Sequence, residues 1–157
     1  MRTRLKYQGA ITRHLCLQRA RWQQRRFRDL VFRGKLRPQA TREVPFEIMS
    51  FSGSSGFEDQ VLSIYSFTAY AGIPRKWTVY SDKTHTAAEK AKLRELSPFV
   101  SVTDWDVYPA YRTNRSVSDY LAVCGLAKKL NIIIGHPCQG QTRYVDSGIL
   151  FYKNISY

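Results

Sequence analysis

The strongest constraint on the fold is an alternation of short apolar runs with helical patterns between Pro45 and Tyr152. Four apolar runs are typical of buried strands, and the three amphipathic segments between them are typical of helices. The strand candidates read PFEIMSFS, KWTVYSD, FVSVTDWD and RYVDSGILFY. This βαβαβαβ order predicts an α/β fold with a mainly parallel four-stranded sheet and helices on its faces.

The helical segments complete a Rossmann-like pattern. The first runs through Val61 and Tyr70 and ends at Gly72, and the second begins after Thr84 or Thr86 as its N-cap. The third is predicted over residues 116–130, and the periodicity of the following NIIIG does not decide whether it extends this helix.

Polar residues follow the predicted strands at the ends where a parallel sheet binds ligands. Asp146 is the sharpest case, because a carboxylate inside an apolar run is costly to bury unless it pairs or faces a ligand. The loop GSSG after the first strand is neither a Walker A motif nor a complete dinucleotide fingerprint, so a tight turn is its competing interpretation. The residues expected at this edge are Ser50, Ser52, Gly53, Asp82, Asp104, Asp106 and Asp146.

Charge divides the chain into a basic arm, residues 1–43, and a nearly neutral domain, residues 44–157. The arm holds 13 Lys/Arg and 2 acidic residues, whereas the domain holds 12 and 10. The arm pattern predicts a helix that ends near Gly34, with Pro38 as a stop. Three interpretations compete: a solvated arm docked on the domain or a partner, contact with an anionic membrane surface, and, with the least weight, nucleic-acid binding.

Cysteine usage indicates the compartment. The three cysteines form no even-numbered framework, and no secretion signal precedes the domain. We therefore expect a cytoplasmic protein, with the arm as a candidate peripheral contact to the inner membrane surface. The spacing of His and Cys residues fits no four-ligand zinc pattern.

Residues 44–153 resemble the nucleotide-binding half of the nucleotide-sugar glycosyltransferases with the GT-A fold. The resemblance is carried by VPFEIMSFSGSSGFEDQVLSIYSFTAYAGIPRKWTVYSD and by YVDSGILFY. It implies binding of a nucleoside diphosphate sugar and a divalent cation, Mn²⁺ or Mg²⁺, held by an Asp-x-Asp motif. Asp146 matches the first acid and is the implied metal ligand. The implied nucleotide-binding residues are Ser50, Phe51, Ser52, Gly53, Asp82, Lys128 and Lys129.

Competing structural roles remain open for several of these residues. Asp82 is about as well explained as a turn acid, and either lysine as a solvated residue near a helix C-terminus.

Two departures from the family lower the expected activity. Gly148 stands where the second acid should be, and glycine has no side-chain oxygen for a hard cation. The resemblance ends before the acceptor-binding half that follows this strand in the family, and we expect that half to be missing. We therefore expect a half-domain, a truncated copy or gene fragment, that is weak or inactive as a transferase. The alternative is a non-enzymatic basic module that binds an anionic membrane surface or nucleic acid.

Overall fold

The computed structural model describes residues 2–33 and 42–152. The chain divides into two compact units, with the boundary between Arg37 and Pro38. The helices are α1 (Arg2–Phe32), α2 (Phe57–Tyr70), α3 (Ala87–Glu95), α4 (Arg115–Val123) and α5 (Gly125–Gly135). The strands are β1 (Glu43–Ser52), β2 (Ile73–Ser81), β3 (Val100–Asp104) and β4 (Thr142–Tyr144), and short 3-10 turns occupy Ser54–Gly56 and Pro109–Tyr111.

The four strands form one parallel sheet in the order β3-β2-β1-β4. Strand β1 is central and pairs along most of its length with β2, placing Ile48 beside Trp77. Strand β4 pairs with β1 over three residues only, from Thr142 to Tyr144. The predicted α/β class with a parallel four-stranded sheet is therefore confirmed.

Helices cover both faces of the sheet. Trp77 of β2 is fully buried, and its ring packs edge-on against Phe67 of α2 with centroids 5.4 Å apart. Tyr80, three residues further along β2, hydrogen-bonds His136, which follows α5, at 2.8 Å. Because side chains alternate along a strand, residues 77 and 80 point to opposite faces. Helices α2 and α5 therefore lie on opposite sides of the sheet.

Local signals define two of the helix ends. Gly72, after α2, has φ +129°, and an added Cβ would lie 2.6 Å from the Arg42 carbonyl oxygen, so only glycine suits this position. Thr86 is the N-cap of α3. Its hydroxyl accepts from Glu89 N while the Glu89 carboxylate accepts from Thr86 N, which forms a complete capping box.

The predicted third helix is wrong in its continuity. Cys124 adopts an extended conformation, with φ −105° and ψ 109°, and divides the segment into α4 and α5. Asn114 is the N-cap of α4, and its side-chain oxygen accepts from Val117 N. Helix α5 continues through the NIIIG segment to Gly135. An extended residue at the α4–α5 junction is not visible in hydrophobic periodicity, which reports the repeat of apolar positions and not the conformation of one residue.

The predicted fourth strand is also wrong in its length. It ends at Tyr144, and Asp146 lies in a turn where Ile149 N donates to the Asp146 carbonyl at 3.1 Å. Asp, Ser and Gly all favour turns, and that local preference overrides the apolar run. The run is apolar for another reason: Phe151 packs edge-on against Phe67 at 4.9 Å, so this segment covers α2 without joining the sheet.

Helix α1 carries the basic residues described by the structure in the first unit. Trp22 is 58% exposed, and Arg26 stacks over its ring at 5.4 Å. The predicted stop at Gly34 and Pro38 lies outside the described residues, and the assignment of residues 1–43 as an arm stays a prediction. Among the described helices, none combines the length and apolar character needed to cross a bilayer.

Candidate functional site at the carboxyl edge of the sheet

The carboxyl ends of all four strands lie along one edge of the sheet, because the strands are parallel. From β1, the next two strands, β2 and β3, are added on one side of the sheet, whereas β4 is added on the other side of β1. Such a change of direction opens a crevice between the two neighbouring strand ends, which is where open α/β sheets bind ligands. The candidate site is therefore built around the ends of β1 and β4, with the ends of β2 and β3 beside them.

Gly53 and Asp82 join the ends of β1 and β2. The Asp82 carboxylate occupies the space that a Cβ on Gly53 would need. Its Oδ1 accepts from Thr84 N at 2.8 Å and from the Thr84 hydroxyl at 2.6 Å, and that hydroxyl accepts from Ser54 N at 2.8 Å. Through these contacts Asp82 stabilises its own turn and links the loop after β1 to the loop after β2. Its predicted contact with a nucleotide stays a prediction.

A second set of polar contacts holds the loop after β1 in place. Ser54 donates its hydroxyl to the Glu89 carboxylate at 2.8 and 2.9 Å. The pKa of Glu89 is lowered, first by the backbone hydrogen bond from Thr86 and then by the hydroxyl of Ser54. The loop therefore has a defined conformation set by α3, the next helix in the chain.

His85 lies beneath the same loop. It is buried, its Nδ1 lies 3.0 Å from the Ser81 hydroxyl, and its ring packs edge-on against Phe57 with centroids 6.4 Å apart. Burial is the main cause of its lowered pKa, which nearby Glu89 and Asp82 partly offset. This buried imidazole follows the end of β2 and packs against Phe57.

Trp105 forms the other side of the candidate site, just after β3. Its backbone N–H donates to the Ser81 carbonyl at 2.9 Å, which places it beside the end of β2. The ammonium groups of Lys83 and Lys128 each lie 5.5 Å from its ring centroid. The two lysines come from different elements, the β2–α3 loop and α5, and converge on one partly buried aromatic ring.

Asp146 pairs with Lys129 of α5. The Lys129 ammonium lies 2.9 Å from each carboxylate oxygen, and Ser147 N also donates to Oδ1 at 3.1 Å. Both side chains are partly exposed, at 30% for Lys129 and 46% for Asp146. Two residues expected at the site from separate arguments therefore contact each other.

The donor set at Asp146 does not fit a divalent cation. Lys129 already faces both carboxylate oxygens, and Gly148 offers no side-chain oxygen. Within residues 2–33 and 42–152, no three His, Cys, Asp or Glu side chains come together as metal ligands. Mg²⁺ and Ca²⁺ sites are built from several oxygen ligands, and one carboxylate that already pairs with an ammonium group does not provide such a set.

Three small residues line the crevice between β1 and β4. A Cβ on Gly56 would lie 3.6 Å from the Ser147 hydroxyl and 3.8 Å from the Ser52 Cβ. Ser52 is buried, and its hydroxyl has no hydrogen-bond partner among the described residues. An unpartnered buried hydroxyl beside two glycine-containing turns is suited to receive a ligand or a water.

The remaining expected residues are placed differently. Ser50 is fully buried, and its hydroxyl accepts from Trp77 Nε1 at 3.0 Å, so it lies in the core. Phe51 is half-buried on the face opposite Ser50 and Ser52. Trp105 and Lys83 were not predicted as site residues, although Trp105 lies near the end of the third predicted strand, FVSVTDWD, where an aromatic residue is a usable signal.

Comparisons with protein-family models, with curated protein sequences and with solved structures find no match to this chain.

Proposed function

We propose that the domain binds a nucleoside diphosphate sugar at the carboxyl edge of its sheet. The observation that carries this proposal is the convergence of Lys83 and Lys128 on Trp105. The next residue of α5, Lys129, pairs with Asp146 just beyond the end of β4. Such a ligand combines a flat base with a dianionic diphosphate. An aromatic ring and several ammonium groups are the complementary chemistry.

Electrostatics support this assignment. No carboxylate of the described residues lies within ion-pair distance of Lys83 or Lys128. Their positive charge is therefore available to a ligand, although Asp104 lies close enough to Lys83 for the lysine to lower the pKa of that carboxyl. The nearest acids at this edge are engaged: Asp82 in its turn, Asp104 with Lys90 at 2.6 Å, and Asp146 with Lys129.

The length of the carboxyl edge also suits a ligand of this class. Strands β3 and β4 are three spacings apart, about 14 Å at the usual interstrand distance. That span is comparable with an extended nucleoside diphosphate, with Trp105 at one end and Asp146 with Lys129 at the other. Glycosyl transfer would be slow under this proposal, because position 148 supplies no side-chain oxygen to assist the leaving diphosphate.

Calorimetry tests the proposal directly. The full chain should release or absorb heat with UDP or GDP and their sugars, and Lys128→Met should weaken that binding about tenfold. The matched control is Lys92→Met on the exposed side of α3, which should bind as the parent does. Absence of binding with every nucleotide, or equal loss in the two variants, would overturn the proposal.

We further propose that α1 contacts anionic membrane surfaces. Leu15, Leu17 and Trp22 are exposed on this helix among many arginines, a combination suited to anionic headgroups. Anionic vesicles at low salt should shift the Trp fluorescence of the parent but not that of Trp22→Phe. Equal responses to neutral and anionic vesicles would overturn this second proposal.

A further inference from the structure

The pairing of Lys129 with Asp146 leads to an inference that rests on the proposed function. We propose that Lys129 supplies the cationic charge facing the diphosphate, and that nucleotide binding at this edge requires no divalent cation. The resemblance to GT-A enzymes implies the opposite, a metal held by Asp146, so the two alternatives predict different behaviour.

Both carboxylate oxygens of Asp146 are already engaged. The ammonium of Lys129 contacts each oxygen at 2.9 Å, and Oδ1 also receives the Ser147 N–H. A cation at this carboxylate would have to displace an ammonium group of the same sign. In the absence of other ligands, that exchange has little to favour it.

The neighbouring position cannot help. A Cβ on Gly148 would meet no atom within 4 Å, so the glycine faces open space and supplies no ligand. The protein therefore offers a metal few oxygen ligands at this position, and the diphosphate itself would have to supply nearly all of them.

Lys129 is suited to the task. An ammonium group has three N–H donors, and the two Asp146 oxygens account for two of them. Its third donor and its partial exposure leave it able to meet a phosphate oxygen. Asp146 then acts as a positioning residue that holds the lysine at the end of β4.

Helix α5 carries two adjacent lysines. Lys128 reaches Trp105 after β3, while the adjacent Lys129 reaches Asp146 after β4. These strands form opposite edges of the sheet, so one helix presents cations toward both ends of the carboxyl edge. A linear anion lying across the strand ends would contact both lysines.

The experiment is calorimetric titration of the full chain with UDP and with GDP, once in EDTA and once in Mn²⁺. We expect affinities in the two conditions that agree within about twofold, and a loss of about tenfold in Lys129→Met. Lys129→Arg keeps the charge and should retain most of the binding. Lys92→Met is again the control on α3.

Asp146→Asn separates the two mechanisms most sharply. If Lys129 carries the charge, Asn at position 146 keeps an oxygen that can accept from the ammonium but removes the competing negative charge. Nucleotide should then bind about threefold more tightly, both in EDTA and in Mn²⁺. If Asp146 is a metal ligand, nucleotide should bind the parent only in Mn²⁺, and the same variant should bind it more weakly than the parent does. Thermal melting of each variant without ligand establishes that the fold is retained.

The outcomes also separate this inference from the function on which it rests. Binding that requires Mn²⁺ and is lost in Asp146→Asn would overturn the inference while leaving nucleotide binding intact. No binding of either nucleotide in either condition would overturn both.

Discussion

The basic segment and the nearly neutral segment of the chain use charge in contrasting ways. Residues 1–43 hold 13 basic and 2 acidic residues, and the described basic side chains of that segment lie mainly along the single helix α1. In residues 44–157 the balance is 12 to 10, and salt bridges join Lys90 to Asp104, Arg112 to Asp106 and Lys129 to Asp146. The arm has more charge, but the domain places its charges at defined positions relative to an aromatic ring.

The comparison separates affinity from selectivity. A helix rich in arginine attracts any polyanion, and salt weakens that attraction. In the domain, the two cations near Trp105 come from separate elements that the fold brings together. Under the two proposals, selective recognition belongs to the domain and general anion binding to α1.

The largest contrast is expected between two tryptophans. Trp77 is fully buried in the domain and donates to Ser50, whereas Trp22 of α1 is 58% exposed. Trp77→Ala should lower the free energy of unfolding by about 3–5 kcal/mol, because it leaves a large cavity. Trp22→Ala should change it by no more than about 0.5 kcal/mol.

Urea unfolding measures both changes. Trp77→Phe keeps a ring in the cavity and supplies a milder variant if the alanine variant does not fold. Similar stabilities for the Trp77 and Trp22 variants would contradict the assignment of the core to the domain.

A smaller contrast is expected between two glycines of the candidate site. An added Cβ on Gly53 would collide with the Asp82 carboxylate, whereas one on Gly148 would meet open space. Gly53→Ala should cost about 1–3 kcal/mol, since Asp82 must leave its contacts with Thr84. Gly148→Ala should be neutral or slightly stabilising, because it reduces the entropy of the unfolded chain.

Thermal melting of the two glycine variants decides this point. If Gly148→Ala is the more destabilised of the two, position 148 does not face open space in the turn around Asp146. If Gly53→Ala melts as the parent does, the link between the ends of β1 and β2 is looser than the contacts indicate.

The smallest effect is a pH dependence confined to the domain. Burial is the main cause of the lowered pKa of both His85 and His136. His136 faces the Tyr80 hydroxyl and the Glu47 carboxylate, with Lys76 also nearby, whereas His14 on α1 is exposed. The unfolded chain takes up protons first as pH falls below the ordinary histidine pKa of 6.5, so stability should fall in that window.

Unfolding measured between about pH 7.5 and pH 5.5 should show this loss, at most about 1.4 kcal/mol per pH unit for each histidine. His136→Gln should flatten the dependence, and His14→Gln should leave it unchanged. A stability that rises as pH falls through this window would contradict the buried, neutral state of these imidazoles.

Sequence patterns predicted the order of the secondary-structure elements well, because each strand has its own apolar run and each helix its own spacing. The parallel sheet followed from that order. The extent of the last strand did not, since the apolar residues near Phe151 reflect packing on α2 and the Asp146 turn interrupts them. Apolar composition indicates that a segment is buried, but it does not indicate whether the segment packs against a helix or joins the sheet.

The candidate site could be predicted only in part. Asp146 and Lys129 were both expected at the edge, but the ion pair between them depends on how α5 crosses the sheet. The contact of Lys83 and Lys128 with Trp105 joins residues up to 45 positions apart and has no local signature. Residue type and strand ends were therefore predictable, whereas partners were not.

One measurement tests the central claim that the domain, and not the arm, recognises a nucleotide. GDP and UDP are titrated into three full-length proteins: the parent, a variant with Lys128→Met and Lys129→Met, and a variant with Arg19→Gln, Arg21→Gln, Arg25→Gln and Arg26→Gln in α1. The account predicts that binding survives the loss of four arm charges and is lost with the two lysines of α5. Binding that follows the arm charges and is indifferent to Lys128 and Lys129 would contradict it.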